Sequence, residues 1–422
     1  MASIVVSGDT SGTVTISAPA VAGTTTLTLP STSGTVLTTA SSTGISGSAI
    51  SSGTVAEAYG GTGTNTGYYG FKNRILNGQM VIDQRNAGAS VATTTTATPT
   101  YSIDRWAYQC SVASKFTVQQ NAGSVTLPAG FKNYLGATVG ASANVTVGAG
   151  DYFLLRQPIE GFNTADLGFG AAGASTVTLS FWVRSSLTGT FGGSLENGAS
   201  DRSYPFTYTI SSANTWEQKS VTIAGDTSGT WVGATNSSSM LVVFSLGMGS
   251  TYSGTAGAWV AGNFLSATGA VKLIETNSAT FYLTGVQLEK GSTATSFDYR
   301  PYGTELSLCQ RYFQRTTFDT GDYPLGFAYA YSNNTCASSL ALAVPMRAQP
   351  TAAIVVNMGI RGGGFSTSQT LSSLGAISFS NGIGSGLYVL CNPTTSGSSL
   401  TSYTTYLLSN IASGGFTLSA EL

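Results

Sequence analysis

The sequence contains no histidine and few charged residues. Of its 422 residues, 17 are Lys or Arg and 18 are Asp or Glu. Charged residues thus make up 8% of the chain, against about 25% in a typical globular domain. Without histidine, neither a Ser-His-Asp nor a Cys-His nucleophile system can form, and the commonest imidazole metal ligands are missing. We therefore expect a non-enzymatic protein with no metal site and no cofactor.

The few basic residues are dispersed, and the net charge is −1. A protein that follows a phosphate backbone needs a basic face, so we expect no nucleic-acid partner. No apolar run reaches the ~20 residues of a membrane span, so we also expect no membrane insertion. The opening residues Met1-Ala2-Ser3-Ile4 lack the basic start and apolar core of a signal peptide. We expect assembly in a cytoplasm, with release by another agent.

The four cysteines, Cys110, Cys309, Cys336 and Cys391, are far apart in sequence, and no C-x-x-C pair occurs. A disulfide framework is typical of much shorter secreted chains. Cysteine in other proteins usually behaves as a small apolar residue. We therefore predict buried, free thiols.

What the sequence has in quantity is glycine, hydroxyl residues and β-forming residues. Glycine occurs 53 times, and 41% of the residues are hydrophobic, with 10% aromatic. Disordered chains have few aromatics and high net charge, so this chain is expected to fold. Glycine suits tight turns, whereas Thr, Val, Tyr and Phe suit a pleated sheet. The composition predicts an all-β protein of short strands and many turns.

Residues 1–70 differ from the rest, because Asp9 and Glu57 are their only charges. Gly-Thr pairs begin at Gly12, Gly23 and Gly34, and each precedes alternating apolar and polar residues, which predicts short strands. Such thin strands need identical partner chains or a docking surface. We predict an attachment region at 1–40, followed by a stalk or flexible linker at 41–70. The predicted attachment residues are Ile4, Val6, Val14, Ile16, Leu27 and Leu29.

From Phe71 onward the alternation is stronger and aromatic residues are frequent. Strands are predicted at 176–183, 204–210, 241–244 and 280–283, and their number and spacing favour an antiparallel sandwich over 71–302. The predicted helix spans 303–315, where Leu306, Leu308, Cys309, Tyr312 and Phe313 recur at roughly helical spacing. A further β domain is predicted at 316–422.

Several long segments are similar to a domain common in phage tail-fibre proteins. They are Asn73-Arg74-Ile75-Leu76-Asn77-Gly78-Gln79-Met80 with Ile82-Asp83-Gln84-Arg85, Ser102-Ile103-Asp104-Arg105-Trp106, Gly285-Val286-Gln287-Leu288-Glu289-Lys290-Gly291, Phe297-Asp298-Tyr299-Arg300-Pro301-Tyr302 and Glu305-Leu306-Ser307-Leu308-Cys309-Gln310-Arg311-Tyr312-Phe313. Between them, Ser180-Phe181-Trp182-Val183-Arg184-Ser185 and Thr215-Trp216-Glu217 resemble strands of jelly-roll carbohydrate-binding modules. The resemblance covers about residues 60–350 and implies a virion fibre with a jelly-roll centre.

This resemblance leads to the hypothesis of a homotrimeric tail fibre. Its N-terminus would bind a tail adaptor or another tail protein, and its distal domains, with 316–422 as the tip, would contact a host polysaccharide or protein receptor. Its location would be the virion tail, after assembly in the host cytoplasm. Two alternatives stay open: a head or collar fibre without a receptor role, and a polysaccharide-depolymerising tailspike, since a glycosidase needs only two facing carboxylates.

Glycan contact would use an exposed aromatic face together with amide and hydroxyl groups. Two groups of residues fit this description, although core packing or subunit contact is the alternative for each. The first group lies in Gly- and Ser-rich surroundings and consists of Trp231, Tyr252 and Trp259. The second group lies in the β domain predicted at 316–422 and consists of Tyr323, Tyr329, Tyr331, Asn333 and Asn334. A repeated segment, Gly225-Asp226-Thr227-Ser228-Gly229-Thr230, also occurs at 8–13 and is interpreted as a favoured turn.

Overall fold

The structure is a computed structural model of the chain. It divides into two compact units, Met1–Val55 and Ala56–Leu422. The residues that it describes are 3–7, 13–17, 71–95, 98–318, 324–330, 332–333, 335–361, 369–376, 388–395, 400 and 402–422.

The described part of the first unit is an antiparallel hairpin of β1 (Ser3–Ser7) and β2 (Thr13–Ser17). Ile4 pairs with Ile16 and Val6 with Val14. The alternation of apolar and polar residues thus predicted the second strand correctly. Leu27 and Leu29, the other two predicted attachment residues, lie outside the described residues.

The second unit begins with a β-sandwich, as predicted. Its strands are β3 (Val91–Ala92), β4 (Thr100–Ile103), β5 (Trp106–Cys110), β6 (Phe116–Gln120), β7 (Leu135–Val139), β8 (Tyr152–Glu160), β9 (Val177–Ser185), β10 (Gly189–Asn197), β11 (Arg202–Ile210), β12 (Glu217–Ile223), β13 (Ser238–Met248), β14 (Ser253–Gly254), β15 (Val260–Ala261), β16 (Ser266–Ala267) and β17 (Thr280–Lys290). Short 3-10 turns occur at Ala122–Ser124, Gly161–Asn163, Ala165–Leu167, Ser250–Tyr252 and Leu273–Glu275.

Two sheets form the sandwich. One has seven strands in the order β15-β11-β10-β13-β8-β5-β4, and the other has six in the order β12-β9-β17-β7-β6-β3. The chain crosses repeatedly from one sheet to the other between β8 and β17, as it does in a jelly roll. Alternate residues point between the sheets and form one large core that includes Trp106, Phe181 and Phe244. The structure therefore confirms the all-β class and the antiparallel jelly-roll centre.

The helix is shorter than predicted. Helix α1 spans Tyr302–Gln310 rather than 303–315, and Phe313 already begins the next strand. Phe313 pairs with Ser419, and the Tyr312 carbonyl accepts a hydrogen bond from the Ala420 N–H at 2.8 Å. The helical spacing of the apolar residues was misleading because Tyr312 and Phe313 are buried by sheet pairing instead.

The C-terminal region forms a further seven-stranded sheet. A second core lies in it, with Tyr406, Leu408 and Phe416 among its buried residues. The strands are β18 (Phe313–Phe318), β19 (Pro324–Ala330), β20 (Cys336–Ala341), β21 (Thr351–Arg361), β22 (Gln369–Ala376), β23 (Tyr388–Thr395) and β24 (Thr405–Ser419). Their order in the sheet is β18-β24-β19-β20-β23-β22-β21. Cys110, Cys309 and Cys336 are buried thiols outside any disulfide, as predicted, and Cys391 belongs to a strand whose side chains are not described.

The segments that resemble tail-fibre proteins meet in space. Asn73 Nδ2 donates to the Val286 carbonyl at 3.0 Å, and Asn73 Oδ1 accepts from the Leu288 N–H at 3.1 Å. Asn77 Nδ2 donates to the carbonyls of Ile82 and Asp104 at 2.8 and 2.9 Å. The Asn73–Met80 segment therefore holds the start of the sandwich against its closing strand, which carries the Gly285–Gly291 segment, and this is a structural role.

The same motifs join the sandwich to the C-terminal sheet. Glu421 is paired with Arg85 at 2.6 Å and with Arg105, whose guanidinium lies 3.6 Å from the centre of the Tyr312 ring. Glu160, at the end of β8, accepts from Arg311 Nη2 at 2.6 Å. Because these charges are largely buried, the contact between the two cores depends on their being paired.

Candidate functional site

The seven-stranded sheet of the sandwich, which contains β8, has an outer face with both polar and apolar side chains. Along β8, Phe153 and Leu155 point into the core, so Tyr152, Leu154 and Arg156 point outward. In the neighbouring strands the outward residues are Gln109 from β5, Val243 and Ser245 from β13, and Ser194 and Glu196 from β10. The polar and charged side chains on this face can form hydrogen bonds with a polar ligand.

A roof formed by residues 249–271 covers part of this face. Leu265 is buried against Leu154, Val243 and Met248, which anchors the roof to the sheet. The Leu265 N–H donates to the Tyr252 carbonyl at 2.8 Å, so the two halves of the roof are joined to each other. The roof leaves open space above the sheet on both sides of this anchor.

On one side lies a cavity of about 300 Å³. The ring centres of Tyr152 and Tyr252 are 5.4 Å apart, with the rings at 86°. The other groups around the cavity are a guanidinium, two amides, a hydroxyl and one apolar side chain. The full lining is Gln109, Tyr152, Arg156, Ser200, Tyr252, Asn263 and Leu265. The cavity thus combines aromatic surface with donors and acceptors and contains no carboxylate.

Arg156 and Glu196 determine the charge near this cavity. Arg156 Nη1 donates to Gln109 Oε1 at 3.0 Å, and its Nε has no partner among the described residues. Glu196 is fully buried, and neither of its carboxyl oxygens has a hydrogen-bond partner among the described residues. Burial raises the pKa of Glu196 to about 8, although Arg156 acts in the opposite direction. At neutral pH Glu196 is therefore mainly protonated.

A second cavity, of about 280 Å³, lies on the other side of the roof anchor. Ser245 and Ser266 line it, and their buried hydroxyls have no partner within the described residues. Buried hydroxyls normally form hydrogen bonds. The outer face therefore offers further polar groups beyond the first cavity.

Of the five predicted glycan-contact residues that the structure describes, Tyr252 alone lies at this face. Trp231 and Trp259 contact each other instead, with ring centres 5.4 Å apart, and both pack against Phe169. Trp231 Nε1 donates to the Ser228 carbonyl at 3.2 Å, and Trp259 Nε1 to the Ala224 carbonyl at 2.7 Å. Each ring is half-buried and packs on other rings, so the packing alternative describes both tryptophans better than an open aromatic face does.

The repeated segment at 225–230 is more than a turn. Asp226 is buried and accepts two hydrogen bonds from Arg202, at 2.8 Å from Nε and 2.6 Å from Nη2. The Gly170 N–H also donates to the Asp226 carbonyl at 2.8 Å. This bidentate pair fixes the loop that carries Trp231.

In the C-terminal sheet, the predicted residues Tyr323, Tyr331 and Asn334 lie outside the described residues. Tyr329 is 46% exposed, and Asn333 is also exposed. Two aromatics that the sequence did not single out are more exposed, Phe327 at 72% and Tyr403 at 78%. Alternation along β19 could have revealed Phe327, because it shares a face with Tyr329.

Five polar or aromatic residues of the cavity were missed by the sequence analysis. They are Gln109, Tyr152, Arg156, Ser200 and Asn263. Arg156 gave the clearest signal, because an arginine interrupts the apolar run of β8. No group of metal-ligating side chains occurs within the described ranges, and no helix there has the length and apolar character of a membrane span.

A scan against protein-family models finds no match, and a search of curated proteins finds none either. Among solved structures, the chain is similar to a family 11 carbohydrate-binding module from Clostridium thermocellum bound to a mixed-linked tetrasaccharide, at 9% identity and a TM-score of 0.24, covering 49% of this chain and 98% of that one. It is also similar to a xylan-binding domain from Paenibacillus barcinonensis, at 12% identity and a TM-score of 0.22, covering 50% and 99%.

A third similar structure is the enzymatically active domain of tailspike protein 4 from bacteriophage CBA120. The identity is 11% and the TM-score is 0.24. The match covers 52% of this chain but only 22% of that one. Likeness at this level leaves the function to be inferred from the site itself.

Proposed function

We propose that the chain is a non-enzymatic structural protein of a phage virion that binds a glycan in the cavity lined by Tyr152, Arg156 and Tyr252. The observation that carries this proposal is the cavity lining, where two half-buried tyrosines stand beside amide, hydroxyl and guanidinium groups. A ligand pocket is expected to combine apolar surface with a few convergent polar groups.

Sugars match this arrangement because a pyranose has apolar C–H faces and a rim of hydroxyls. The ring of Tyr252 or Tyr152 can cover a C–H face, while its phenol group hydrogen-bonds at the edge. Asn263 supplies both a donor and an acceptor, which suits a hydroxyl that is both. The volume, about 300 Å³, lies at the lower end of the range for small-ligand sites.

Binding without cleavage is the better interpretation of this cavity. Glycoside hydrolysis generally uses two carboxyl groups that flank the scissile bond. None of the residues lining the cavity is an aspartate or glutamate. Glu196, the nearby acid, points to the same sheet face but lies fully buried. We therefore favour an adsorption role over a depolymerising tailspike.

The tail-fibre location is supported by the resemblance of the segments around Asn73–Arg85 and Gly285–Phe313. The hairpin of β1 and β2 would attach to a tail protein, because an isolated two-stranded hairpin is marginal in water and needs partner surface. A homotrimer would supply part of that surface. A head or collar fibre is the alternative, and immunogold labelling of residues 1–40 on virions would distinguish the two locations.

The function itself is tested on a glycan array with the full chain and two variants. We expect wild-type protein to retain specific host-surface glycans and Tyr252→Ala to lose at least tenfold in affinity. Tyr302→Ala is the matched control, because Tyr302 is 63% exposed and lies outside the cavity. Equal binding by wild type and Tyr252→Ala would contradict the proposed site, and the absence of any retained glycan would contradict the function.

A further inference from the structure

The charge of Arg156 points to the kind of sugar that the cavity accepts. Among the described residues, no acidic side chain lies within ion-pair distance of this guanidinium. Its hydrogen-bond partner, Gln109, is neutral, and so are the other polar residues of the lining, Ser200 and Asn263. The cavity therefore has a fixed positive charge that the protein does not pair.

Arginine is suited to a carboxylate because its planar guanidinium presents several donors in a fork. Gln109 accepts from one donor of Arg156, and the Nε of Arg156 has no partner among the described residues. Burial lowers the pKa of Arg156, but a guanidinium stays charged at physiological pH. A partly buried cation without a counter-ion is costly, and an anionic ligand would reduce that cost.

We propose that the sugar bound in this cavity carries a carboxylate, as a uronic acid does, and that Arg156 binds it. This inference rests on the proposed glycan-binding function and adds the chemical class of the ligand. The tyrosines and amides of the lining would contact the ring and its hydroxyls, while Arg156 would distinguish an acidic sugar from its neutral counterpart.

The position of Glu196 agrees with this assignment. Glu196 in β10 and Arg156 in β8 flank β13 on the same face of the sheet, where their partners in β13 are Leu241 and Val243. Were Glu196 ionised at neutral pH, it would neutralise Arg156 and repel a carboxylate. Because burial keeps Glu196 largely protonated up to about pH 8, the charge of Arg156 remains available.

The test uses an array printed with acidic polysaccharides beside their carboxyl-reduced forms, and it compares full-length wild type with Arg156→Gln. We expect the acidic member of a pair to bind at least tenfold more tightly, since a charge-assisted hydrogen bond is stronger than a neutral one. Arg156→Gln should lose this preference, and Arg156→Lys should recover part of it because it restores the charge.

Arg184→Gln is the control for the loss of one positive charge. Arg184 lies in β9 of the opposite sheet, where its Nε donates to the Asn214 carbonyl at 2.9 Å. The Arg184→Gln variant should keep the wild-type preference for acidic over carboxyl-reduced glycans. Melting temperatures of all variants establish that each is folded before binding is compared.

A pH series provides a readout that a merely structural Arg156 would not change. The titratable groups that face Arg156 are Glu196 from β10 and Tyr101 from β4. Burial raises the pKa of Tyr101 to about 12, so only Glu196 titrates near neutrality. Affinity for the acidic glycan should fall severalfold as pH rises through about 8, and Glu196→Gln should abolish that fall.

The outcomes separate this inference from the proposed function. Equal retention of acidic and carboxyl-reduced glycans, unchanged in Arg156→Gln, would overturn the acidic-sugar assignment and leave glycan binding intact. Retention of no glycan at all would overturn both. An acidic preference that Arg184→Gln removes as completely as Arg156→Gln would also overturn the assignment, because it would reflect overall charge.

Discussion

The carbonyl oxygen of Val286 lies 2.2 Å from the position that a Cβ atom would occupy at Gly78. Real Cβ contacts are never so short, and the obstructing atom belongs to the backbone of β17, which cannot easily move. The Val286 N–H in turn donates to the Gly78 carbonyl at 3.0 Å. The Asn73–Met80 and Gly285–Gly291 segments of the tail-fibre resemblance are therefore in direct backbone contact, and glycine is required for their approach.

Gly78→Ala should therefore lower the free energy of unfolding by about 2 kcal/mol or more, within the range of overpacking effects. Chemical denaturation of the full chain measures it. Gly150→Ala is the matched control, since a Cβ there would meet nothing within 4 Å. Equal stabilities of the two variants would show that the contact between the motifs is looser than described.

Glu196→Gln should change how stability depends on pH. Burial raises the pKa of Glu196 from its ordinary value of 4.5 to about 8, so between these values the folded state binds more protons than the unfolded state. This group alone then makes the free energy of unfolding fall as pH rises, by at most about 1.4 kcal/mol per pH unit.

In Glu196→Gln that contribution is absent, so the variant should gain stability relative to wild type from pH 5 to pH 8, and the gain should level off above pH 8. Urea denaturation at pH 5, 7 and 9 measures the difference. A difference that stays constant with pH would mean that Glu196 is ionised throughout in the folded protein.

Asp226→Ala should destabilise the sandwich by about 3 kcal/mol, because it leaves the guanidinium of Arg202 without its buried bidentate partner. Tryptophan fluorescence should shift to longer wavelength, since the loop carrying Trp231 would loosen. Lys290→Gln is the comparison. Lys290 lies 3.9 Å from Asp166 in an exposed pair, so its loss should cost less than about 1 kcal/mol.

Glu421→Gln should weaken the contact between the sandwich and the C-terminal sheet. It removes the charge that pairs with Arg85 and Arg105, and Arg105 is only 1% exposed. Scanning calorimetry should show a lower melting temperature, with hydrogen exchange accelerating first in β18 and β24. Unchanged exchange in both strands would indicate that the backbone pairing suffices without Glu421.

Cysteine reactivity provides an independent test of burial. Burial raises the pKa of Cys110 and Cys309, and that of Cys336 to about 11. Since thiolates are the reactive form, a thiol reagent at pH 8 should modify none of these three in native protein and all of them in urea. Peptide mapping assigns the sites. Rapid native labelling of Cys309 would contradict the packing around α1.

The sequence predicted the sandwich well because period-2 alternation is a local property. The strands around Phe181, Phe206, Val243 and Phe281 all lie where alternation indicated. The predicted extent of α1 was wrong because Phe313 lies in a strand that pairs with Ser419, more than a hundred residues later. Local spacing carries no information about that partner.

Most residues of the cavity could not be predicted from the sequence, again because local patterns carry no information about distant partners. Its residues come from separate strands and from the roof, and they converge only after the sheet forms. Composition suggested exposure for Trp231 and Trp259, yet each is half-buried against other aromatic rings. Tyr252 was found because it is an aromatic in a Gly- and Ser-rich segment, whereas Arg156 could have been found as a charge within an apolar strand.

The most direct test of the account is a crystal structure of the full chain with the glycan that the array retains most strongly. Sugar density should lie in the cavity against the ring of Tyr152 or Tyr252, with a carboxylate within hydrogen-bond distance of Arg156. Density on the exposed aromatics Phe327, Tyr329 and Tyr403, with none in the cavity, would contradict it and would assign adsorption to the C-terminal sheet.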